Sequence, residues 1–203
     1  IEAVRQYKKI KRLIYCSSIS AYGDINASNT NESLKFSPTN VYGSTKASCD
    51  LMLEIYHKNY NLDIISLRFS TIYGYGRLTS CFINDMIKSG SGRKTLDLPF
   101  KSNLQWPYIY VSDVVSSLSA SLFHENSHRY SYNVGGPDFP SYKQILNLIS
   151  SEFLKLNVNF SKSNEIGERK NFSTTKIKKD INWEPKFNIQ KGLNDYFKNL
   201  NTE

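Results

Sequence analysis

Cysteine and histidine are scarce in this chain of 203 residues, which contains three of each. Neither set has the spacing of a metal site, so we expect no bound metal. The cysteines also lack the spacing of a disulfide framework. We therefore predict buried or partly buried thiols, typical of a reducing compartment, at Cys16, Cys49 and Cys81.

Long apolar runs are absent as well. No stretch approaches the length of a membrane span, and no signal peptide opens the sequence. Hydrophobic residues make up 39% of the chain and aromatic residues 13%, which is enough to bury a substantial core in one or two domains. These features favour a soluble, cytoplasmic protein.

The chain is basic, but its basic residues are not gathered into one segment. The 26 lysines and arginines exceed the 18 acidic residues and give a formal net charge of +8. The densest clusters, at 8–12 and 176–179, are short and interrupted, which is typical of solvated helix ends. We therefore expect no nucleic-acid partner, although the same excess charge would suit a substrate that carries a diphosphate.

A tyrosine and a lysine four residues apart form the most informative pair in the sequence. Tyr42 and Lys46 lie in a pattern that predicts a helix over 41–59, so their side chains share one face. A nearby ammonium favours the ionised form of a phenol, and Tyr42 is therefore a candidate general acid or base. Tyr7 and Lys11 have the same spacing, but their charged surroundings favour a solvated helix end.

Further segments accompany this pair in a fixed order, from a serine-rich strand end to a Trp-x-Pro segment near the C-terminus. They are 17–23, 37–38, 67–76, 108–114, 132–136, 182–185 and 192–193. In this order they resemble the extended short-chain dehydrogenase/reductase family, particularly its nucleotide-sugar epimerases.

The resemblance implies an α/β fold, namely a partial Rossmann-like doubly wound parallel sheet with a small mixed α/β substrate lobe. Residues 1–75 would form the C-terminal half of the dinucleotide-binding domain with the catalytic helix. Residues 76–203 would form mainly the substrate-binding lobe, interleaved with returns to the main sheet. The family's sheet opens with a glycine-rich turn. No such turn precedes Tyr42, so we expect this chain to lack the first half of that sheet.

The hydrophobic patterns along the chain agree with alternating helices and strands. They predict strands near 12–17, 63–69, 95–98, 108–110 and 131–134, and helices near 41–59, 82–88, 112–123 and 141–154. We expect Asp113 to cap the helix that begins there. Trp183 and Pro185 should pack and turn the chain near its end.

Three residues would form a catalytic triad if the resemblance extends to mechanism. Tyr42 would take a proton from a sugar hydroxyl while hydride leaves the same carbon, and Lys46 would lower the pKa of that tyrosine and hold the nicotinamide ribose. Ser18 corresponds to the family's serine or threonine that hydrogen-bonds the reacting oxygen. Considered alone, Ser18 could equally satisfy backbone groups at a strand end.

The resemblance also implies contacts to a cofactor and a substrate. The cofactor, NAD or NADP, would contact Ser17, Tyr42, Lys46 and Ser70. The substrate, a nucleotide sugar, would contact Ser18, Thr71, Arg77 and Arg169. Two departures from the family pattern affect substrate recognition. Thr71 stands where many relatives have asparagine, and Trp106-Pro107 stands where they have Arg-Asp, so a usual phosphate ligand is missing.

Several functions stay open at this stage. Ile19 and Ser20 replace the Asp-Glu pair of sugar 4,6-dehydratases, which disfavours dehydration and leaves an epimerase or a keto-sugar reductase. A reductase of a non-sugar alcohol or ketone, and a non-catalytic remnant or interaction protein, are the alternatives. Relatives often form homodimers through the Tyr/Lys helix, so either such a contact or ordinary core packing would explain its apolar residues Leu51, Met52 and Ile55.

Overall fold

A computed structural model of the chain describes residues 1–7, 9–25, 30–92, 95–124, 130–152, 156–162 and 171–200. In chain order its elements are α1 (Glu2–Gln6), β1 (Leu13–Ser18), a 3-10 turn (Ile19–Tyr22), α2 (Val41–Tyr60), β2 (Ile64–Phe69), β3 (Thr71–Tyr73), α3 (Phe82–Gly92), β4 (Leu96–Leu98), β5 (Tyr108–Tyr110), α4 (Val111–Phe123), β6 (Ser131–Val134), α5 (Tyr142–Ser150), β7 (Val158–Phe160), α6 (Thr175–Ile181) and α7 (Ile189–Leu200). Within these ranges, no helix combines the length and the apolar character needed to cross a membrane.

Three parallel strands form the central sheet, in the order β1-β2-β6. β2 is buried along its whole length, and its mostly apolar sequence suits the middle strand of a parallel sheet. Ser18 pairs with Phe69, and Phe69 pairs with Val134, so the carboxyl ends of the three strands lie level with one another. The segments that follow these strands therefore emerge at one edge of the sheet. This architecture confirms the predicted α/β class with a parallel sheet.

Helix α2 packs against β1 and β2. Its start is fixed by Asn40, whose side-chain oxygen accepts the Gly43 N–H at 2.8 Å. It ends at Asn61, which adopts the left-handed conformation common at helix ends (φ 51°). Three apolar residues of α2 lie on its exposed side and not in the core: Leu51, Met52 and Ile55.

Glycine at position 43 lets α2 approach the 3-10 turn closely. A Cβ atom on Gly43 would lie 2.3 Å from the carbonyl oxygen of Ser20, a distance that real Cβ atoms do not reach. The turn begins at Ser18, whose hydroxyl oxygen accepts the Ser20 N–H at 3.1 Å. This close packing brings Tyr42, in the first turn of α2, toward the end of β1.

A second group of elements packs around a core rich in aromatic side chains. β3 pairs with β5, and β4 pairs with β7, both in parallel. The rings of Phe82, Phe100 and Tyr142 contact one another in this core. Helix α5 begins with a capping box in which Ser141 and Gln144 satisfy each other's backbone N–H groups. β6 follows α4 in the sequence but belongs to the central sheet.

The observed elements confirm most of the pattern predictions, with small shifts of their ends. β5 and β6 have the predicted bounds, and α2 extends one residue beyond them. The end of the helix predicted over 141–154 falls partly outside the described residues. The patterns give no prediction for β3, β7, α6 and α7.

The prediction that Asp113 caps a helix is wrong. α4 already begins at Val111, so Asp113 lies inside its first turn. Its buried carboxylate instead accepts the backbone N–H groups of Lys186 and Phe187, at 2.9 Å each. Asp113 therefore joins α4 to the segment that leads into α7.

The prediction of buried thiols is wrong for two of the three cysteines. Cys16 and Cys49 are exposed, whereas Cys81 is buried. Cys16 is exposed because β1 is paired on one side only within the described residues. The packing role predicted for Trp183 is confirmed, since its side chain is buried and its Nε1 donates to the Ser116 hydroxyl at 2.9 Å.

An ion pair between Arg68 of β2 and Asp50 of α2 is buried where the helix meets the sheet. Arg68 is 3% exposed and Asp50 is 0% exposed. Nε and Nη2 of Arg68 donate to the two carboxylate oxygens at 3.1 and 3.2 Å. The hydroxyls of Ser17 and Tyr130 also donate to this carboxylate, at 2.6 and 2.9 Å. These donors make the buried charge tolerable, because each replaces a hydrogen bond to water.

Arg68→Met should lower the free energy of unfolding by about 3–5 kcal/mol, because it leaves the Asp50 carboxylate buried without its cation. Urea denaturation at neutral pH measures the loss. Lys58→Met is the control, since it removes the cation of the exposed pair between Lys58 and Glu54 and should change stability little. Equal small losses in both variants would contradict the role assigned to the buried pair.

Gly43→Ala should also destabilise the protein, by about 1–3 kcal/mol, because its methyl group would collide with the carbonyl of Ser20. Helix propensity alone predicts the opposite sign, since alanine is favoured over glycine in a helix by about 1 kcal/mol. Thermal or urea denaturation shows whether the substitution lowers or raises the free energy of unfolding, and so distinguishes the steric effect from helix propensity. Ser44→Ala, at the exposed next position, is the matched control and should be neutral or slightly stabilising.

Candidate active site

A cavity of about 450 Å³ lies at the carboxyl ends of β1 and β2. Its wall comes from the end of β1 and the 3-10 turn, the first turn of α2, and the segment that follows β2. The lining residues are Ser17, Ser18, Ile19, Ser20, Tyr42, Phe69, Ser70, Thr71, Ile72, Arg77 and Thr79. Open α/β sheets bind ligands at this position, beyond the carboxyl ends of parallel strands.

Hydroxyl groups dominate the wall of this cavity. Seven of its eleven lining residues are serine, threonine or tyrosine, and Arg77 is the one charged residue among them. A wall of this kind can orient a polar substrate through hydrogen bonds. Among the described residues that line this cavity, none has a carboxylate.

Tyr42 and Lys46 lie together at the mouth of the cavity. Tyr42 is 55% exposed. The ammonium of Lys46 lies 5.6 Å from the centre of the Tyr42 ring and is fixed by donating to the carbonyl of Cys16 at 2.8 Å. The Tyr15 ring is also 5.3 Å from this ammonium, but burial and a hydrogen bond with Cys49 raise the pKa of Tyr15. Tyr15 is also partly buried, so the exposed Tyr42 is the accessible phenol.

Three of the four serines that line the cavity differ in their hydrogen bonds. The hydroxyl of Ser17 donates to Asp50 at 2.6 Å, so its proton is already engaged. The hydroxyl oxygen of Ser18 accepts the Ser20 N–H at 3.1 Å, which leaves the Ser18 proton for a ligand. Ser70 is 4% exposed, and no described residue hydrogen-bonds its hydroxyl. A buried hydroxyl of this kind calls for a partner, and Ser70 faces a cavity that could hold one.

Two other lining residues, Thr71 and Arg77, are held in place by hydrogen bonds. The partner of Thr71 lies in the segment before β5, and the partners of Arg77 lie in the chain around it. The hydroxyl oxygen of Thr71 accepts the Nε1–H of Trp106 at 2.7 Å. The guanidinium of Arg77 donates to the backbone carbonyls of Ile72 and, at 3.1 Å, of Thr79. These bonds fix Arg77 beside the cavity while leaving some of its five N–H groups for a ligand.

Most of the site residues predicted from the sequence line this one cavity. They are Ser17, Ser18, Tyr42, Ser70, Thr71 and Arg77. Lys46 lies beside it through its contact with Tyr42. Arg169 lies outside the described residues. In the part of the chain that the structure describes, no group of three histidine, cysteine, aspartate or glutamate side chains could hold a metal ion.

The sequence analysis gave no prediction for the buried polar residues that are hydrogen-bonded next to the site. Asp50 lies one helical turn after Lys46. The sequence signal for it was Arg68, because an arginine inside an apolar strand needs a buried carboxylate as its partner. Tyr22 contacts the same arginine, whose Nη1 donates to the Tyr22 oxygen at 2.9 Å. Burial raises the pKa of Tyr22 to about 12 despite this cation. Its phenol therefore stays protonated and donates to Asn133 at 2.8 Å.

Two curated relatives are similar to nearly the whole chain. YtcB, an uncharacterized UDP-glucose epimerase of Bacillus subtilis, is 26% identical over 196 residues, which cover 95% of this chain and 61% of the relative. A UDP-glucuronate 4-epimerase of Thermodesulfobacterium geofontis is 29% identical over 190 residues, which cover 91% of this chain and 57% of the relative. The chain thus spans less than two thirds of the length of either protein.

Solved structures share the fold over the whole chain. UDP-glucuronic acid 4-epimerase from Bacillus cereus, in complex with UDP-glucuronic acid and NAD, has a TM-score of 0.88 and 24% identity, covering 99% of this chain and 64% of its own. dTDP-glucose 4,6-dehydratase from Bacillus anthracis, in complex with NAD, has a TM-score of 0.87 and 25% identity, covering 100% and 65%.

The family assignment comes from a direct match of the sequence to a family model. Residues 1–135, which include β1, α2, β2 and every lining residue of the cavity, match the model described as the NAD dependent epimerase/dehydratase family. Because this match covers more than half of the chain, the protein belongs to the NAD dependent epimerase/dehydratase family.

Proposed function

We propose that this chain is the catalytic and substrate-binding part of an NAD(P)-dependent nucleotide-sugar epimerase or keto-sugar reductase. One observation carries the proposal. Ser18 at the end of β1 and Tyr42 in α2 line the same cavity, and the Lys46 ammonium lies beside the Tyr42 phenol. A phenol, a fixed ammonium and a hydroxyl that can donate are the groups needed to move a proton on a sugar hydroxyl.

Each of these residues would have a separate role in the reaction. Tyr42 would accept the proton of a sugar hydroxyl as that carbon becomes a carbonyl, and would return it in the reverse step. Lys46 would supply a fixed positive charge beside Tyr42, since its ammonium donates to the carbonyl of Cys16. Ser18 would donate its remaining hydroxyl proton to the reacting sugar oxygen, because its own oxygen already accepts the Ser20 N–H.

The cavity also fits the nicotinamide part of a dinucleotide. When bound, NAD or NADP would accept hydride from the sugar carbon and give it back. Ser70 supports this fit because its buried hydroxyl has no partner among the described residues. Lys46 and Tyr42 would hold the nicotinamide ribose, and Ser17 could contribute only as an acceptor, since its proton is donated to Asp50.

We further propose that the nucleotide sugar carries a negative charge near the reacting carbon. Arg77 is the one charged residue among those lining the cavity, which Thr71 also lines. One relative acts, by its name, on UDP-glucuronate, a sugar with a carboxylate. A UDP-uronate is therefore the substrate class that we favour, with Arg169 as a further proposed phosphate ligand.

The complete enzyme would need more of the sheet than this chain provides. Relatives extend well beyond the matched part, and β1 has a strand on one side only within the described residues. We propose that further strands, which would hold the cofactor phosphates, continue the sheet beyond β1. The exposed Leu51, Met52 and Ile55 on α2 would form a homodimer contact. We propose that residues 1–75 form a dinucleotide-binding part and that residues 76–203 form mainly a substrate lobe, interleaved with returns to the main sheet such as β6.

Arg77→Met should weaken binding of UDP-glucuronate to this chain by about tenfold or more, because a hydrogen bond to a charged group is lost. Isothermal titration calorimetry measures the dissociation constant, and Arg77→Lys should give an intermediate value. Lys88→Met is the control, since it removes the same charge from an exposed position that does not line this cavity. Equal effects of the Arg77→Met and Lys88→Met changes would contradict the proposed substrate site.

A further inference from the structure

Trp106 contacts the cavity wall from outside, through Thr71. Its side chain packs against the aromatic core of the second group of elements. Its backbone N–H donates to the carbonyl of Pro140 at 3.3 Å, and the Thr71 N–H donates to the carbonyl of Pro107 at 3.1 Å. With the backbone held on both sides, the indole Nε1–H donates to the Thr71 hydroxyl oxygen at 2.7 Å.

The hydrogen bond from the indole group limits the directions in which the Thr71 hydroxyl can donate its proton. An indole N–H is only a donor, whereas a hydroxyl has one proton to give and lone pairs to receive. When Trp106 donates to the oxygen, the hydroxyl proton of Thr71 must point away from the indole. No acceptor for it occurs among the described residues, and Thr71 lines the cavity. The proton is therefore left for a ligand.

Two other groups on the wall have the same polarity. The Ser18 oxygen accepts the Ser20 N–H, so Ser18 also has a proton to give. Arg77 has only donors, and part of its guanidinium is already fixed by the carbonyls of its own loop. Ser18, Thr71 and Arg77 thus present donors from three points of the cavity wall.

We propose that Trp106 is a specificity-determining positioning residue, which directs the hydroxyl proton of Thr71 into the cavity and so favours a strong acceptor, such as a carboxylate, on the substrate. This inference rests on the proposed function. A carboxylate accepts from Thr71 and Arg77 together and pairs with the charge of Arg77, whereas an uncharged hydroxymethyl group accepts more weakly from the same donors.

The hydrogen bond itself can be tested without any ligand. The chain contains two tryptophans, so two indole N–H signals are expected in a ¹H–¹⁵N NMR spectrum. Thr71→Val removes the acceptor and should shift the Trp106 signal, while the Trp183 signal, bonded to Ser116, should not move. Thr71→Ser keeps the hydroxyl and should restore the wild-type position. An unmoved Trp106 signal in Thr71→Val would overturn the proposal.

The effect on specificity is tested by the ratio of two dissociation constants, for UDP-glucose and for UDP-glucuronate, measured by calorimetry on the 203-residue chain. Wild type should prefer UDP-glucuronate, and Trp106→Phe should reduce the preference about fivefold to tenfold by releasing the Thr71 hydroxyl. In a Thr71→Val background the same change should have little further effect, because Trp106 acts through Thr71.

Each result has one meaning. An unchanged preference in Trp106→Phe, with the NMR shift observed, overturns the role in specificity but leaves the proposed function standing. A fall in affinity for both nucleotide sugars by the same factor shows general damage to the fold and also overturns that role. Failure of wild type to bind either nucleotide sugar contradicts the proposed function, and the specificity role with it.

Discussion

The buried ion pair between Arg68 and Asp50 connects the elements from which the cavity is built. Arg68 belongs to β2, Asp50 belongs to α2 one turn after Lys46, and Ser17 at the end of β1 donates to the same carboxylate. A carboxylate buried in this way must keep its donors. Helix α2 therefore cannot slide along the sheet without leaving a charge unpaired, and the pair fixes Tyr42 relative to the end of β1.

Hydrogen bonds to residues behind the cavity wall determine which of its hydroxyls can donate to a ligand. Ser17 gives its proton to Asp50, whereas Ser18 and Thr71 receive N–H groups and keep their protons. The same framework holds Lys46 on a carbonyl of β1, beside the exposed phenol of Tyr42. We propose that these side chains serve a reaction in which a sugar oxygen is held by donors and gives its proton to the side chain of Tyr42.

The sequence predicted the central elements well, because local patterns determine them. The apolar pattern of β2 and the residues that begin and end α2 can be recognised within a few positions. The family segments predicted Ser18, Tyr42 and Lys46 as site residues. Asp113 and Asp50 were misread or missed because their partners, Lys186 and Arg68, are distant in sequence. Exposure of Cys16 and Cys49 depends on which neighbours cover β1 and α2, which no local pattern encodes. The bond from Trp106 to Thr71 likewise joins segments that only the fold brings together.

The most direct test of the account is a crystal structure of this chain with UDP-glucuronate bound. The account predicts that one sugar oxygen lies within hydrogen-bond distance of both the Tyr42 phenol and the Ser18 hydroxyl, with the sugar carboxylate on Thr71 and Arg77. A nucleotide sugar bound elsewhere, or in the cavity with no contact to Tyr42, would contradict it.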